Sequence, residues 1–444
     1  MKRLTLAYTL MFSSLLLLCS NLALAGCGNC SHHRSNQQAM AKSPKSFQLS
    51  PQAESETIAV TIFHTSDIHG YAFPHKAVEP GGTLQAGGLF SLATLVERKR
   101  RELWRQDISK LRRYVSTGDD GILLIDLGDN IAGTLDCSLS KGRNIVTLQN
   151  SPLLDYDLGI LGNHAIDYDK GPPPFVHMNA NTLARRFPVV NTTYLDRFNK
   201  TMAKGTVQTH IEEVNGIRFG VFGLSCLDKT PREFREDRKN YVSEDCLRAS
   251  KKAISSLKRQ DVHIILCIAH LGLEDRAAKN LLADLAALPI DLIIDGHSHN
   301  PSLHVKVDDD TFLAQVGFYG RNAGELELHF GKRSKKLQTV IARRHSLLVK
   351  DTKPSPSFIK AHRKLYNRVR KINEEPIIEG FKGLQFSKTP RTEPQLNNPA
   401  IDFVARGRYE LSAFKDGSLP DIVLASQKSV RYHIISDVDG IISA

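Results

Sequence analysis

Seven side chains of types that bind metal ions follow short apolar segments at widely separated points of the sequence. They are Asp67, His69, Asp129, Asn163, His270, His297 and His299. This set of oxygen and nitrogen ligands is too large for one tetrahedral zinc and favours two divalent ions that share a carboxylate. Two such ions lower the pKa of a bridging water and hold the oxygens of an in-line displacement at phosphorus. The residues therefore predict a hydrolytic metal centre.

The segments that precede these side chains have the character of buried strands. TIAVTIFHTSD, GILLIDLGDN and LIIDGHSH each contain a short aliphatic run that ends in polar residues. Between such runs, LFSLATLVERKRREL, EDCLRASKKAISSLKR and EDRAAKNLLADLAAL carry apolar residues at helical spacing. The alternation predicts a layered α/β fold, in which ligands bind beyond the carboxyl ends of the strands. We expect the seven side chains to meet there.

The composition is that of a folded protein, because 41% of the 444 residues are hydrophobic and 24% are charged. It excludes wholesale disorder and a membrane protein with many spanning helices. The net charge of +12 suits an anionic substrate. The basic residues are scattered or lie in segments such as KKLQTVIARR, for which we predict a helix, and they lack the interleaved aromatic residues that stack bases. No nucleic-acid polymer is expected as a partner.

The N-terminus has the layout of an export signal. A basic start, an uncharged apolar stretch and small residues predict that residues 1–26 are a signal peptide. LAGC at 24–27 resembles a bacterial lipobox, which predicts lipidation of Cys27, while cleavage after Ala25 is the alternative. The expected location is the periplasm or the outer face of the cell membrane, with a lipid as the membrane anchor.

Two changes of composition mark predicted domain boundaries. Residues 27–55 are rich in Ser, Gln, Pro and His and are predicted to be a flexible linker. The α/β pattern covers residues 56–348 and ends at the Pro- and Ser-rich segment KDTKPSPS. A basic helix, FIKAHRKLYNRVRKINEE, then opens a smaller C-terminal segment at residues 355–444.

The ordered motifs resemble those of one family. They are D-x-H-G at 67–70, G-D-N at 128–130, G-N-H-x-x-D at 162–167, the histidine of AHLG at 270 and G-H-S-H at 296–299. Together they resemble the calcineurin-like metallophosphoesterases, and among them the secreted 5′-nucleotidases and UDP-sugar hydrolases. The resemblance covers about residues 57–345. It implies a four-layer αββα sandwich of mixed sheets, followed by a partial C-terminal α/β domain.

The resemblance also implies a role for each motif residue. One metal would be held by Asp67, His69, Asp129 and His299, and the other by Asp129, Asn163, His270 and His297. His164 would stabilise charge on the transferred phosphoryl group, and Asp167 would keep its imidazole protonated, since a nearby carboxylate raises the pKa of histidine. Such ligands accept Mn, Zn, Co, Fe or Ni as the two divalent ions.

Two features depart from the family pattern. Ala165 stands where the family usually has Glu after the motif histidine, although no metal ligand is affected. DIVLASQKSVRYHIISDVDGIISA resembles the nucleoside-binding region and places Arg431 at its arginine position, with QKS in place of glycines. The family would continue beyond Ala444, so the resemblance predicts a truncated C-terminal nucleotidase domain.

The sequence therefore predicts an exported hydrolase of nucleotide phosphate monoesters in which a metal-bound hydroxide attacks phosphorus. The expected partner is a small-molecule phosphate ester. Three alternatives stay open, namely a phosphodiesterase on cyclic nucleotides or nucleotide sugars, a sulfur-ester hydrolase similar to the thiosulfohydrolases, and a non-catalytic metal-binding remnant. The remnant is disfavoured because all seven ligand positions are intact.

Overall fold

The computed structural model describes most of residues 54–374 and short strands on either side. The described residues are 45–48, 54–79, 82–107, 119–131, 133–166, 176–196, 202–225, 241–243, 245–273, 278–300, 304–306, 311–374, 376–379, 385–386, 434–435 and 441–443. The predicted signal peptide, Cys27, Asp167 and Arg431 lie outside them.

Strands and helices alternate along the described part of the chain. The strands are β1 Lys45–Gln48, β2 Thr57–Thr65, β3 His75–Glu79, β4 Gly82–Ala86, β5 Ile122–Asp126, β6 Leu158–Gly159, β7 Val189–Val190, β8 Tyr194–Asp196, β9 Thr206–Val207, β10 Thr209–Val214, β11 Ile217–Ser225, β12 Tyr241–Ser243, β13 Ile264–His270, β14 Leu292–Asp295, β15 His304–Lys306, β16 Phe312–Ala314, β17 Asn322–Gly331, β18 Leu337–Ser346, β19 Pro376–Glu379, β20 Gln385–Phe386, β21 Ile434–Ile435 and β22 Ile441–Ser443. The helices are α1 Gly88–Gln106, α2 Leu135–Ser140, α3 Arg143–Gln149, α4 Val176–Ala184, α5 Cys246–Lys258, α6 Lys279–Ala286, α7 Pro356–Ala361 and α8 Arg363–Glu374.

Two mixed sheets form the centre of the fold. One has eight strands in the order β1-β18-β17-β2-β5-β6-β7-β9, and the other has six in the order β10-β11-β13-β14-β16-β15. The strands that precede the predicted ligands pair in parallel, β2 with β5 and β5 with β6 in the first sheet, and β13 with β14 in the second. In each sheet their carboxyl ends therefore lie at the same edge, where polar turns meet.

Three apolar cores separate four layers. Leu123 and Ile268 belong to the core between the two sheets. Phe90 of α1 and Phe358 of α7 belong to a second core on the outer face of the eight-stranded sheet, and Ile254 of α5 belongs to a third on the six-stranded sheet. This arrangement confirms the predicted αββα sandwich, because each sheet buries one face on the other sheet and one face under helices.

Helix α1 shows how the sequence builds the helical layer. Its buried residues include Leu89, Leu92, Val96 and Leu103, which recur every three, four or seven positions and so share one face. After its first residue the helix contains neither Gly nor Pro. The helix therefore forms where it was predicted and lies with its apolar face on the sheet.

One segment adopts a different structure from the prediction. KKLQTVIARR, for which the sequence predicts a helix, contributes most of strand β18. Gln338, Val340 and Ala342 are buried while the residues between them are half-buried, so burial alternates with a period of two. The prediction was wrong because the charges at the two ends of the segment obscured this alternation, and because antiparallel pairing with β17 determines its structure.

Elements also lie at the predicted domain limits. Strand β1 falls within 27–55, the segment predicted as a linker, and pairs antiparallel with β18. Helices α7 and α8 open the predicted C-terminal segment, and their Phe358 and Val369 are buried in the same core as α1. The start of that segment is thus packed on the same core as helix α1. Among the described helices, none combines the length and the hydropathy needed to cross a bilayer.

Candidate metal centre

The predicted ligands lie in tight turns at the carboxyl ends of strands. Asp67 and His69 follow β2, Asp129 follows β5, and His297 and His299 follow β14. All five have φ between +46° and +76°, a region that side chains other than glycine rarely adopt. Backbone strain of this kind persists only where surrounding contacts impose it, and it concentrates at functional sites. Here the turns with this backbone conformation direct the side chains of five predicted ligands from both sheets towards one site.

The turns assemble two groups of candidate ligands. The outer group contains Asp67, His69 and His299, and the inner group contains Asp129, His270 and His297. Within each group the ligand atoms lie within 4.8 Å of one another. Ligands on opposite sides of an ion at 2.0–2.2 Å are about 4 Å apart, so each group has the spacing that one cation bridges.

The outer group converges on one carboxylate oxygen. His299 Nε2 lies 3.4 Å from Asp67 Oδ1, and His69 Nε2 lies 3.8 Å from the same atom. The two Nε2 atoms are 3.2 Å apart. The side chain of His299 is 17% exposed, whereas those of Asp67 and His69 are each 1% exposed, so solvent reaches this group from the His299 side.

All three residues of the inner group are buried, with His297 the most exposed of them at 9%. His270 Nε2 lies 3.0 Å from Asp129 Oδ2, and His297 Nδ1 lies 2.8 Å from Asn163 Oδ1. Nδ1 of His270 donates a hydrogen bond of 2.6 Å to the Leu127 carbonyl, which leaves Nε2 facing the other ligands. The structure thus brings Asn163 next to the inner group, where the sequence predicts it to bind.

The two groups are in direct contact through their carboxylates. Asp129 Oδ2 lies 3.9 Å from Nε2 of His69 in the outer group, and Asp67 Oδ1 lies 3.8 Å from Nε2 of His270 in the inner group. The resemblance implies that Asp129 alone bridges the metals. In the structure both aspartates stand at the junction of the two groups, where two adjacent cations would meet the charge of both carboxylates.

The donor atoms fit divalent cations. Asp67 Oδ1 and His270 Nε2 are buried, and neither has a well-aligned hydrogen bond to any residue that the structure describes. Burial by itself favours neutral forms, but the charges of His270 and His299 hold the pKa of Asp67 well below its usual value. Burial likewise opposes charge on His270, yet Asp129 and Asp67 raise its pKa to about 10. A negative, enclosed site of this kind attracts a proton or a metal ion.

His164 lies beside both groups. Its main-chain N–H donates to Asp129 Oδ1 at 2.9 Å, and its ring packs edge-on to His69 with 5.2 Å between centroids. The residue is 3% exposed. His164 therefore lies next to both ligand groups, and its action on a phosphoryl group stays a prediction. Its predicted partner Asp167 lies outside the described residues.

Close approach of the turns requires the motif glycines. A Cβ atom on Gly162 would overlap Asp129 Oδ1, and one on Gly296 would overlap Ser66 Oγ. Ala165, where the family usually has Glu, is half-buried and packs on a small apolar cluster that includes Tyr194. The turn after β6 is therefore held on two faces. Gly162 packs against the carboxylate of Asp129 on one face, and Ala165 packs against apolar residues on the other.

Two buried carboxylates that the motifs do not contain support the ligand turns. Asp126 accepts a hydrogen bond from the main chain of Gly128 at 3.1 Å. Asp295 accepts hydrogen bonds from the main chains of Leu271 and Leu273, at 2.8 and 2.6 Å. Each aspartate is the last residue of an apolar strand and is completely buried. An acidic residue at the end of an apolar run is the sequence signal that would have identified them.

Residues 60–301 match the calcineurin-like phosphoesterase family. The match covers more than half of the chain and includes both ligand groups, Asn163 and His164. The protein belongs to the calcineurin-like phosphoesterases. Membership of this family accounts for three features together, namely the sequence motifs, the four layers and the paired ligand groups.

Similar proteins include nucleotidases. A probable 5′-nucleotidase of Treponema pallidum is 26% identical to the phosphoesterase over 248 residues, which cover 54% of this chain and 36% of the relative. The chain spans about half or less of the length of the curated relatives it matches.

Solved structures show the same fold. The 5′-nucleotidase precursor from Thermus thermophilus has a TM-score of 0.57 at 20% identity, covering 75% of this chain and 62% of that one. The sulfate thiohydrolase SoxB, also from Thermus thermophilus, has a TM-score of 0.56 at 16% identity, covering 74% and 63%. Identities this low establish the fold and leave the substrate to be argued from the site.

Proposed function

We propose that the phosphoesterase is an exported two-metal hydrolase that cleaves nucleotide phosphate monoesters. The observation that carries this proposal is the pair of adjacent ligand groups, with Asp67 and Asp129 between them and His164 at their side. The similarity to a probable 5′-nucleotidase supports a nucleotide as the substrate. Residues 1–26 support export, through their signal-like sequence.

The metal ligands are proposed residue by residue. Asp67, His69, Asp129 and His299 hold one ion, and Asp129, Asn163, His270 and His297 hold the other. Two bound divalent ions supply a nucleophile near neutral pH and stabilise the charge on the phosphoryl oxygens. The protein supplies the buried surroundings, in which such charges interact strongly because little water screens them.

His164 acts on the transferred group itself. Its main chain is hydrogen-bonded to Asp129, which fixes the backbone from which the imidazole projects, and the ring packs edge-on to His69. A protonated ring there donates to a phosphoryl oxygen as negative charge develops in the transition state. We propose that Asp167 keeps the ring protonated, since it follows three residues later in the motif G-N-H-x-x-D and a nearby carboxylate raises the pKa of histidine.

The substrate reaches the metals from the side of the outer group. His299 is 17% exposed, while the Asp129 and His270 side chains of the inner group are 2% and 0% exposed. The phosphate monoester therefore enters beside His299, and its leaving group remains on that open side. We propose that Arg431 contacts the nucleoside there and that a lipid on Cys27 anchors the protein, both on the sequence resemblance alone.

A substrate panel tests the proposal. The full chain, reconstituted with manganese, is assayed on AMP, UDP-glucose, 2′,3′-cyclic AMP, bis-p-nitrophenyl phosphate and a thiosulfate adduct. We expect two equivalents of bound manganese and the highest kcat/KM on AMP. A diester or the thiosulfate adduct as the best substrate would contradict the monoesterase assignment. Less than one equivalent of bound metal would favour the non-catalytic alternative.

A further inference from the structure

The two ligand groups differ in what orients their histidines. His270 of the inner group donates from Nδ1 to the Leu127 carbonyl, an arrangement that aims Nε2 at the metal. Within the described part of the chain, no group accepts a hydrogen bond from Nδ1 of His299 in the outer group. His299 is also the most exposed member of either group. Another contact must therefore restrict the rotation of the His299 ring if Nε2 is to face a metal.

Two aromatic residues, Phe318 and Tyr319, make this contact. The ring of Phe318 stacks on His299 with 4.8 Å between centroids and 17° between planes. Tyr319 packs edge-on against both outer imidazoles, 5.6 Å from His299 and 5.7 Å from His69. Two consecutive residues therefore contact both histidines of the outer group. We call this pair the aromatic clamp.

The aromatic clamp is itself held in place. The main-chain N–H of Tyr319 donates to the Asp67 carbonyl at 2.8 Å, which ties the clamp to the third residue of the outer group. Tyr319 has φ +57°, and its ring lies 4.6 Å from that of Tyr71. The Arg321 guanidinium carbon lies 5.2 Å from the centroid of Phe318, close enough for a cation–π contact.

We propose that Phe318 and Tyr319 are positioning residues for the outer metal. The clamp restricts the rotamers of His299 and His69 so that both Nε2 atoms already converge before a metal binds. Stacking on a fixed ring thus replaces the hydrogen bond that orients a metal-binding histidine elsewhere in the centre. The inference rests on the two-metal site of the proposed function and assigns a separate task to residues outside its motifs.

Metal titration of a Phe318 variant tests the clamp. Loss of a group that orients a ligand weakens metal binding by about 10- to 100-fold. In Phe318→Ala we expect one equivalent of manganese to bind as in the unmodified protein and the other to bind at least about 10-fold more weakly. Phe318→Tyr keeps the ring and should restore the second equivalent. Phe318→Leu keeps most of the apolar volume, protects folding and should still bind weakly.

A matched variant controls for the loss of an aromatic ring. Tyr366 is half-buried on α8 and packs on Phe90 at 5.2 Å between centroids, away from the ligand turns. Tyr366→Ala should leave both equivalents unchanged. Cobalt(II) absorption spectra add a second readout, since Phe318→Ala should alter the bands of one equivalent only.

The outcomes separate the clamp from the proposed function. The manganese equivalent that is lost in His299→Ala identifies the outer site. The equivalent that binds more weakly in Phe318→Ala and Phe318→Leu must be this same one. If these variants weaken both equivalents alike, or neither, the clamp is refuted while the two-metal centre stands. If the unmodified protein binds fewer than two equivalents, the proposed function fails before any variant is compared.

Discussion

The outer and inner ligand groups contain the same kinds of side chain but are held by different means. The inner histidine His270 is buried and hydrogen-bonded to a main-chain carbonyl. The outer histidine His299 is partly exposed and stacked on Phe318. A hydrogen bond to the main chain is stronger where water is excluded, whereas aromatic stacking adds apolar contact for a ring that is partly exposed. If both groups bind metal as proposed, the inner position would favour affinity and the outer position would favour access.

Access and affinity conflict at a single metal position. A fully buried ion cannot meet a substrate, and a fully exposed ligand set binds weakly because its side chains must be ordered on binding. Two adjacent groups divide the tasks, and the carboxylates of Asp67 and Asp129 connect them. Substitution of Asp129, which connects the groups, is the most direct test of this division.

The largest effect is expected from Asp129→Asn. The change removes the charge that lies 3.0 Å from His270 and 3.9 Å from His69, so both metal equivalents should weaken. Activity on AMP should fall by about 1,000-fold or more, since metal stabilisation of the transition state is worth several kcal/mol. Asp284→Asn, at an exposed position of α6, is the control. Weakening of only one equivalent would show that the groups are independent.

The next effect concerns chemistry without metal binding. His164→Ala should lower kcat by about 100- to 1,000-fold, because it removes one donor to the developing charge. Manganese content should stay the same, since His164 belongs to neither ligand group. His210→Ala removes a half-exposed histidine on β10 and should retain full activity. A variant that loses metal together with activity would assign His164 to the scaffold.

Chelation should separate the two groups in time. Dialysis of the manganese enzyme against a chelator should remove the outer equivalent about 10-fold faster than the inner one, because its ligand His299 is the most exposed ligand of either group and gives the chelator access. Activity should disappear with the first equivalent. His299→Ala should show only the slow phase. Loss of both equivalents in one phase would remove the basis of the comparison between the groups.

The smallest effect is expected in a region remote from both groups. Glu325 on β17 is mostly buried, which disfavours its charge, but a hydrogen bond from His345 and the charge of Lys99 lower its pKa to about 2. Since 4.5 is the ordinary value, this carboxylate stabilises the fold above pH 4.5, and the contribution is lost as the pH falls from 4.5 to 2. Glu325→Gln should cost on the order of 2 kcal/mol at pH 7.

Urea denaturation of the Glu325 variant at pH 7, 4.5 and 3.5 measures this contribution. The difference from the unmodified protein should shrink below pH 4.5. Glu102→Gln on the exposed side of α1 should change little at any pH. Manganese affinity at pH 7 should be unchanged in both variants, because Glu325 pairs with Lys99, Arg343 and His345, and none of these is a candidate ligand. A change in metal affinity would show that sheet stability and metal binding are coupled.

Prediction from sequence succeeded where the signal was local. Apolar runs followed by polar turns predicted the strands before Asp67, Asp129 and His297, and helical spacing predicted α1. Prediction failed for KKLQTVIARR, where pairing with β17 overrides the charge pattern. Prediction from sequence also missed Asp126 and Asp295. They are part of apolar strands and support the ligand turns through hydrogen bonds to the main chain, so they were not among the predicted metal ligands.

The sequence alone determined which chemistry is available, because strand-end histidines, aspartates and an asparagine define the ligand types whatever their distances. Only the tertiary structure decided how those ligands divide. The left-handed turns, the contact of Asp67 with the inner group and the stacking of Phe318 on His299 all depend on how two sheets meet. His299 and Phe318 are 19 positions apart in the chain and come into contact only when their turns pack together. No local sequence pattern encodes that packing.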